Sequence, residues 1–112
     1  MMVEEYARIY NIPSEIPLAI MYSECGKEMN SHNYLVNNNP AGLGPHMRFE
    51  NKEVGIIYFI NLLKTKYGCN NNSTNEFFNK VAKTYCKDNP SHWVSMTNSF
   101  YNDIANQKVL VK

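Results

Sequence analysis

The sequence predicts an all-α fold, a small domain of about five helices around a buried central helix, and three observations carry that expectation. Residues 1–112, 44% of them hydrophobic, suffice for one compact core and leave no length for a second domain. Proline, glycine and asparagine punctuate the chain so that mostly helical segments remain between them. One of those segments, "KEVGIIYFINLLKTKYG", has almost no polar face, which marks it as the central buried helix.

In chain order, "VEEYARIYN" reads as a short amphipathic helix stopped by Pro13. Ser14 is placed to cap the next helix, and Pro17 falls in its first turn, where a missing N–H costs little. That helix should run to about Met29. The following stretch, "NSHNYLVNNNPAGLGPHMRFEN", is polar and rich in Asn, Gly and Pro, so it is expected as a loop. Asn51 opens the apolar helix and Gly68 ends it. "STNE", Ser73 to Glu76, is a capping box ahead of Phe77, Phe78, Val81, Ala82 and Tyr85 at helical spacing. Asn89-Pro90 starts a last helix whose Trp93, Thr97, Phe100, Tyr101 and Ile104 form one stripe. There are no internal repeats, and the asparagine clusters at Asn37–Asn39 and Asn70–Asn72 read as loop composition.

Charge excludes several classes of partner. The formal net charge is +1 and the basic residues are scattered, so nucleic acid is not an expected partner and no polybasic membrane patch is present. No apolar segment approaches the roughly 18 residues that span a bilayer, so no membrane insertion is expected. The N-terminus carries acids where a signal peptide carries positive charge. The doubled Met1-Met2 is compatible with a start codon placed ahead of a domain taken from a longer protein. Cys25, Cys69 and Cys86 form no C-x-x-C pair and have no histidine at a zinc-like spacing, so neither metal nor cofactor is expected. Cys69 and Cys86 could form one disulfide in an oxidising setting, leaving Cys25 as a buried small hydrophobe. A monomer is expected.

The stretch "IMYSECGKEM" is the chemically informative one. On a helix Ile16, Ile20 and Glu24 share one face with Ala19 and Ser23 beside them, so the Glu24 carboxylate continues an apolar stripe. Burial there disfavours the charged form, which is how a glutamic acid stays protonated near neutral pH as a general acid. The alternative is structural, with Glu24 near the helix end pairing with Lys27 or Arg48. Tyr85, on an apolar face with Phe77 and Val81, serves either core packing or, with its phenol directed at Glu24, orientation of the acid. Trp93 reads as core. His32, His46 and His92 sit in polar contexts, and His46 alone adjoins the loop closely enough to touch a substrate.

Taken in order, "YSE" on a helix, then "NNNPAGLG", "RFEN", a buried helix ending "KYG", and "VAKTYCKDNPSHW" resemble the lysozyme-like superfamily of peptidoglycan-cleaving enzymes. The pattern is similar to the bacterial lysozyme-like and lytic transglycosylase branch, with kinship to bacterial glucosaminidase domains. Glu24-Cys25-Gly26 stands where that family ends a helix on its catalytic Glu in an E-S-G context. Asn39-Pro40-Ala41-Gly42-Leu43 stands for its Asn-Pro-x-Gly-Ile loop, and Ala82 to Tyr85, followed by Trp93, for its later A-x-x-Y. The resemblance spans about Ile16 to Ile104. It departs at Gly42-Leu43-Gly44-Pro45, where many transglycosylases have G-L-M-Q, and there is no room between Asn30 and Asn39 for the β-hairpin that carries a second acid in some glucosaminidases.

The resemblance implies that Glu24 is the general acid/base and that Asn38, Asn39, Gly42, Leu43, Phe49 and Tyr85 contact peptidoglycan glycan strands. It implies an extracytoplasmic setting: cell wall, secreted or phage-delivered. A glycosidic hydrolase needs a second carboxylate roughly 5 to 9.5 Å from the first. Glu28, one turn along the same helix, and Glu50 and Glu53, after the loop, are the nearby acids, and the latter two read as helix N-terminal charges. With Glu24 alone, the resemblance implies a lytic transglycosylase that forms a 1,6-anhydromuramoyl end. A two-carboxylate muramidase or glucosaminidase, and a non-catalytic glycan-binding or structural helical module, are the alternatives.

Overall fold

In the computed structural model, which describes residues 2–44 and 47–111 with side chains as far as residue 107, the chain forms six helices. They are α1 (Met2–Ile9), α2 (Glu15–Cys25), α3 (His32–Asn37), α4 (Lys52–Thr65), α5 (Phe77–Tyr85) and α6 (Pro90–Val111), with no strand among the described residues. The all-α class is as expected, and α3 is an addition to it. None of the described helices is long and apolar enough to cross a membrane.

The central helix is α2, whereas the sequence pattern pointed to α4. Ile16, Pro17, Leu18, Ala19, Ile20, Met21 and Cys25 are all buried, because α2 packs on α1, α4 and α6. In α4 the face of Gly55, Ile56, Phe59, Ile60 and Leu63 is buried, while Val54 and Tyr58 remain 40% and 43% exposed. Uniform hydrophobicity thus marked a helix with one face on the core and another at the surface.

The contact of α2 with α6 is set by three pairs. Tyr22 meets Phe100 edge-on with ring centroids 5.8 Å apart, and the Ser23 and Thr97 hydroxyls hydrogen-bond at 2.8 Å. One turn further back on α6, the Trp93 indole N–H donates to Glu24 at 3.0 Å. α5 closes over the same part of α6, with the fully buried Phe78 packed edge-on against Trp93 and Tyr101. Each such fully buried aromatic or aliphatic side chain contributes about 1.5–3 kcal/mol relative to exposure. On the other side of α2, α1 is tied to α4 by the Tyr6 hydroxyl donating to Glu53 at 2.7 Å and by Lys64 donating to the Tyr10 carbonyl at 2.6 Å.

Helix ends follow local chemistry, with some departures from expectation. α1 stops ahead of Pro13, at Asn11 with φ of 60°, a left-handed turn that asparagine tolerates. α2 ends at Cys25 and not near Met29, because Gly26 turns the chain with φ of 82°. Glu28 therefore lies beyond the helix in an exposed turn. Ser14 occupies the N-cap of α2 but its side chain makes no capping bond. The "STNE" capping box does not form: the Ser73 hydroxyl accepts from the Asn70 N–H at 2.9 Å, and Glu76 itself precedes α5. Asn51 and Asn89 do cap α4 and α6, accepting from Val54 N–H at 2.9 Å and His92 N–H at 3.1 Å. The short α3 was hidden by its polar composition; Ser31 caps it by accepting from Tyr34 N–H at 3.2 Å, and left-handed Asn38 stops it. All three cysteines are free thiols, so the Cys69–Cys86 bridge is absent.

The loop between α3 and α4 is held against α4 by a close backbone approach at Gly55, where any Cβ would collide with the Asn38 carbonyl oxygen. Helix propensity alone favours alanine over glycine by about 1 kcal/mol. We expect Gly55→Ala to destabilise instead, by about 1–3 kcal/mol of overpacking, measured as a lower urea midpoint at unchanged m-value.

Candidate active site

Glu24 stands one residue before the end of α2, on the side facing the start of α6. Its half-buried carboxyl is held from two directions. Trp93 donates its indole N–H to Oε2 at 3.0 Å, and Gly42 presses its backbone against Oε1, so closely that a Cβ there would lie 2.7 Å from that oxygen. Burial raises the carboxyl pKa above its ordinary value, and the indole hydrogen bond, which favours the anion, offsets part of the rise. Neither Lys27 nor Arg48 pairs with it, so the ion-pair alternative does not hold among the described residues.

Trp93 is buried in the core, as expected, and its indole N–H is in addition the group that orients the acid. Its spacing of four from Thr97, with Ser23 preceding Glu24, was the available signal, but that signal becomes legible only once the α2–α6 register is known. Tyr85 lies flat on Trp93, with centroids 5.1 Å apart and an interplanar angle of 1°, and it fixes the indole plane. Its phenol is kept neutral by burial first and by the charge of Glu24 second. Tyr85 therefore acts on Glu24 through Trp93, and of its two expected roles the direct phenol contact is taken by the indole.

The loop after α3 takes its shape from Asn39, which is fully buried. Asn39 Nδ2 donates to the Leu43 and Met47 carbonyls at 2.8 and 3.0 Å, and Oδ1 accepts from the Ala41 and Leu43 N–H groups at 3.3 and 2.9 Å. Every polar valence of this amide is spent inside the loop, which corrects its expected role as a substrate contact. Asn38 is likewise engaged, donating to the Phe49 carbonyl at 2.9 Å and accepting from Lys52 at 3.1 Å. Phe49 packs on Tyr58 with centroids 5.2 Å apart, and it supports the loop from behind. The buried Cys25 thiol donates to the Pro40 carbonyl at 3.1 Å, pinning the same loop to the end of α2.

What this loop presents is Gly42 and Leu43. Together with Met47 they face Tyr58 and Tyr67 of the α4 side and Tyr85 of α5 across a cleft of about 500 Å³. Gly42 and Tyr85 belong both to the cleft and to the surroundings of Glu24, so the carboxyl stands at the cleft's margin. Among the described residues no acidic side chain, Glu24 included, lines the cleft itself, and no group of three or more His, Cys, Asp or Glu side chains gathers anywhere as a metal site. His46 lies outside the described residues.

A carboxylic acid made a weaker acid by burial, oriented by an indole N–H and set beside an aromatic cleft with room for sugar-sized groups, is a candidate general-acid centre. The chain matches no protein-family model, no curated protein and no solved structure. The resemblance to glycan-cleaving families accordingly rests on the motifs alone.

Because the folded pKa of Glu24 lies above its ordinary 4.5, the folded state binds that proton more tightly than the unfolded chain does. Its stability contribution is fully present below the ordinary value and is lost as pH rises through the raised one. Glu24→Gln should therefore raise Tm relative to the unmodified protein at pH 7 and leave it nearly unchanged at pH 4, a difference read by paired thermal melts. Trp93 is the only tryptophan, so its emission should titrate with Glu24, with a midpoint above 4.5 that vanishes in Glu24→Gln.

Gly42 sits at φ of 61°, a region that costs an L side chain about 1–2 kcal/mol, and its missing Cβ leaves the space occupied by Glu24 Oε1. Gly42→Ala is expected to displace the carboxyl from Trp93. The check is the Trp93 pH titration, which should shift in this variant while the helical circular dichroism stays intact.

Proposed function

We infer that this protein cleaves the glycan strands of bacterial peptidoglycan at the β-1,4 bond between N-acetylmuramic acid and N-acetylglucosamine, acting as a lytic transglycosylase with Glu24 as general acid and base. The observation that carries the reading is the Glu24 carboxyl, raised in pKa by burial, fixed by Trp93 and placed against Gly42 at the edge of an aromatic cleft. The order of motifs that resembles the lysozyme-like families supplies the substrate.

In this reading protonated Glu24 gives its proton to the glycosidic oxygen as the bond from that oxygen to the muramoyl anomeric carbon breaks. The carboxylate so formed takes the proton of the muramoyl 6-hydroxyl as its oxygen bonds to the same carbon. The 1,6-anhydro ring closes and Glu24 returns to its acid form. No second protein carboxylate is required in this route. The neighbouring acids are placed elsewhere: Glu28 and Glu50 are exposed, and Glu53 accepts the Tyr6 hydrogen bond on the α1 side of α4. Trp93, by stabilising the anion, eases the proton loss that would otherwise be opposed by burial. The setting that this chemistry requires is the cell wall, outside the cytoplasm.

Glu24→Gln keeps the shape and the indole hydrogen bond but has no proton to give, so clearing of a cell-wall suspension should fall about 10²- to 10⁴-fold with the fold intact by circular dichroism. Near-normal clearing by this variant would remove the assignment. Glu50→Gln and Glu53→Gln should each stay within about tenfold of the unmodified rate, or about 1.4 kcal/mol of barrier. Mass spectrometry of the muropeptides should show 1,6-anhydro ends. Reducing ends that carry labelled oxygen from water, with collapse of either variant, would instead define a two-carboxylate muramidase or glucosaminidase. Glycan binding without any clearing would define a non-catalytic module.

A further inference from the structure

Among the described residues, Lys66 is the one charged residue lining the cleft, which is otherwise walled by tyrosine, methionine, leucine, glycine and a threonine. It follows directly on α4, its backbone N–H still bonded to the Leu62 carbonyl at 2.9 Å. The negative end of the helix dipole therefore favours a cation at this position without neutralising it. The Lys66 ammonium stands 5.5 Å from the centre of the Tyr67 ring, itself part of the cleft wall, and among the described residues no carboxylate pairs with it. An ammonium has three donors, and a ring face satisfies the charge only in part. Lys66 is exposed, so its remaining donors are open to water and to a ligand in the cleft it lines.

Neutral amino sugars need hydroxyl and amide partners and a face to stack on, which Tyr58, Tyr67, Thr84 and Tyr85 supply. A lone cation among them complements a negative charge on the ligand. We propose that Lys66 reads a carboxylate carried by the glycan strand, so that the cleft selects acidic, muramic-acid-containing strands over neutral amino-sugar polymers. The carboxylate has two sources of the same chemistry: the lactyl group of a muramic acid stripped of its peptide, or the acidic residues of an attached stem peptide. This inference rests on the glycan reading above and adds to it the feature of the strand that is recognised.

The test uses the full chain in the Glu24→Gln background, where strands are bound without being cut. Three ligands are titrated, with Trp93 emission and calorimetry as readouts: peptide-bearing muramoyl strands, the same strands after amidase removal of the peptides, and chitotetraose. The expected result is tighter binding of at least one muramoyl ligand than of chitotetraose. Adding Lys66→Gln should reduce that preference about fivefold, the upper range for a solvent-accessible ion pair, and Lys66→Arg should restore it. Raised salt should weaken the preference in the Lys66 protein and not in the glutamine variant. Loss on the peptide-bearing strands alone places the carboxylate in the stem, and loss on the stripped strands places it in the lactyl group. A preference that Lys66→Gln leaves unchanged, or equal affinity for all three ligands, overturns the role of Lys66 while leaving glycan recognition standing. Binding of none of the three overturns both.

Discussion

The seam between α2 and α6 is the constraint on which the remaining geometry depends. Three neighbouring residues of α2 find three partners that step backwards along α6: Tyr22 with Phe100, Ser23 with Thr97, Glu24 with Trp93. The middle pair sets the register most strictly. Thr97 is fully buried, and its hydroxyl would be left unpaired by any slip of one helix along the other, which costs about 1–3 kcal/mol for a buried polar group. With Ser23 and Thr97 aligned, the next residue of α2 and the residue one turn away on α6 must meet. The carboxyl–indole contact is thus a consequence of packing two elements far apart in sequence.

A second constraint gives that contact something to face. The loop after α3 has little hydrophobic content, and its shape comes from one buried amide. Asn39 acts as a template that bonds carbonyls and N–H groups on both arms of the loop, while Cys25, adjacent to the acid, holds Pro40 from below. Gly42 can then take a left-handed conformation and bring bare backbone against Glu24. The result is a carboxyl placed by a helix on one side, an indole on another and a loop on a third. Such fixed positioning is what general-acid chemistry asks of a scaffold.

The same arrangement is electrostatically unfavourable for folding at neutral pH. Desolvation of Glu24 opposes its ionisation, and one indole N–H returns only part of what water would give an anion. A neutral residue at this position would avoid that cost.

Much of this was legible before the structure. Helical spacing placed α1, α2, α4, α5 and α6, asparagine caps marked the starts of α4 and α6, and the interrupted apolar stripe of α2 singled out Glu24. These are local signals, because a helix face and an N-cap are decided within a few residues of chain. What the sequence left open depends on contacts between distant segments. The "NNNP" cluster offers hydrogen-bonding groups without saying which will be buried, so Asn39 read as a surface donor although folding spends all its valences inside the loop. Apolar composition made α4 look central, yet burial depends on which neighbours arrive, and α2 is the helix they surround. Trp93 read as core alone, and Tyr85 as either core or an orienting group for Glu24, because an aromatic stripe has the same pattern whether its edge meets a methyl group or a carboxylate. Local sequence determined an acid on a helix and a glycine-containing loop; only tertiary packing decided that Trp93 would hold that acid, since the two stand 69 positions apart and are brought together by the seam and by nothing nearer in the chain.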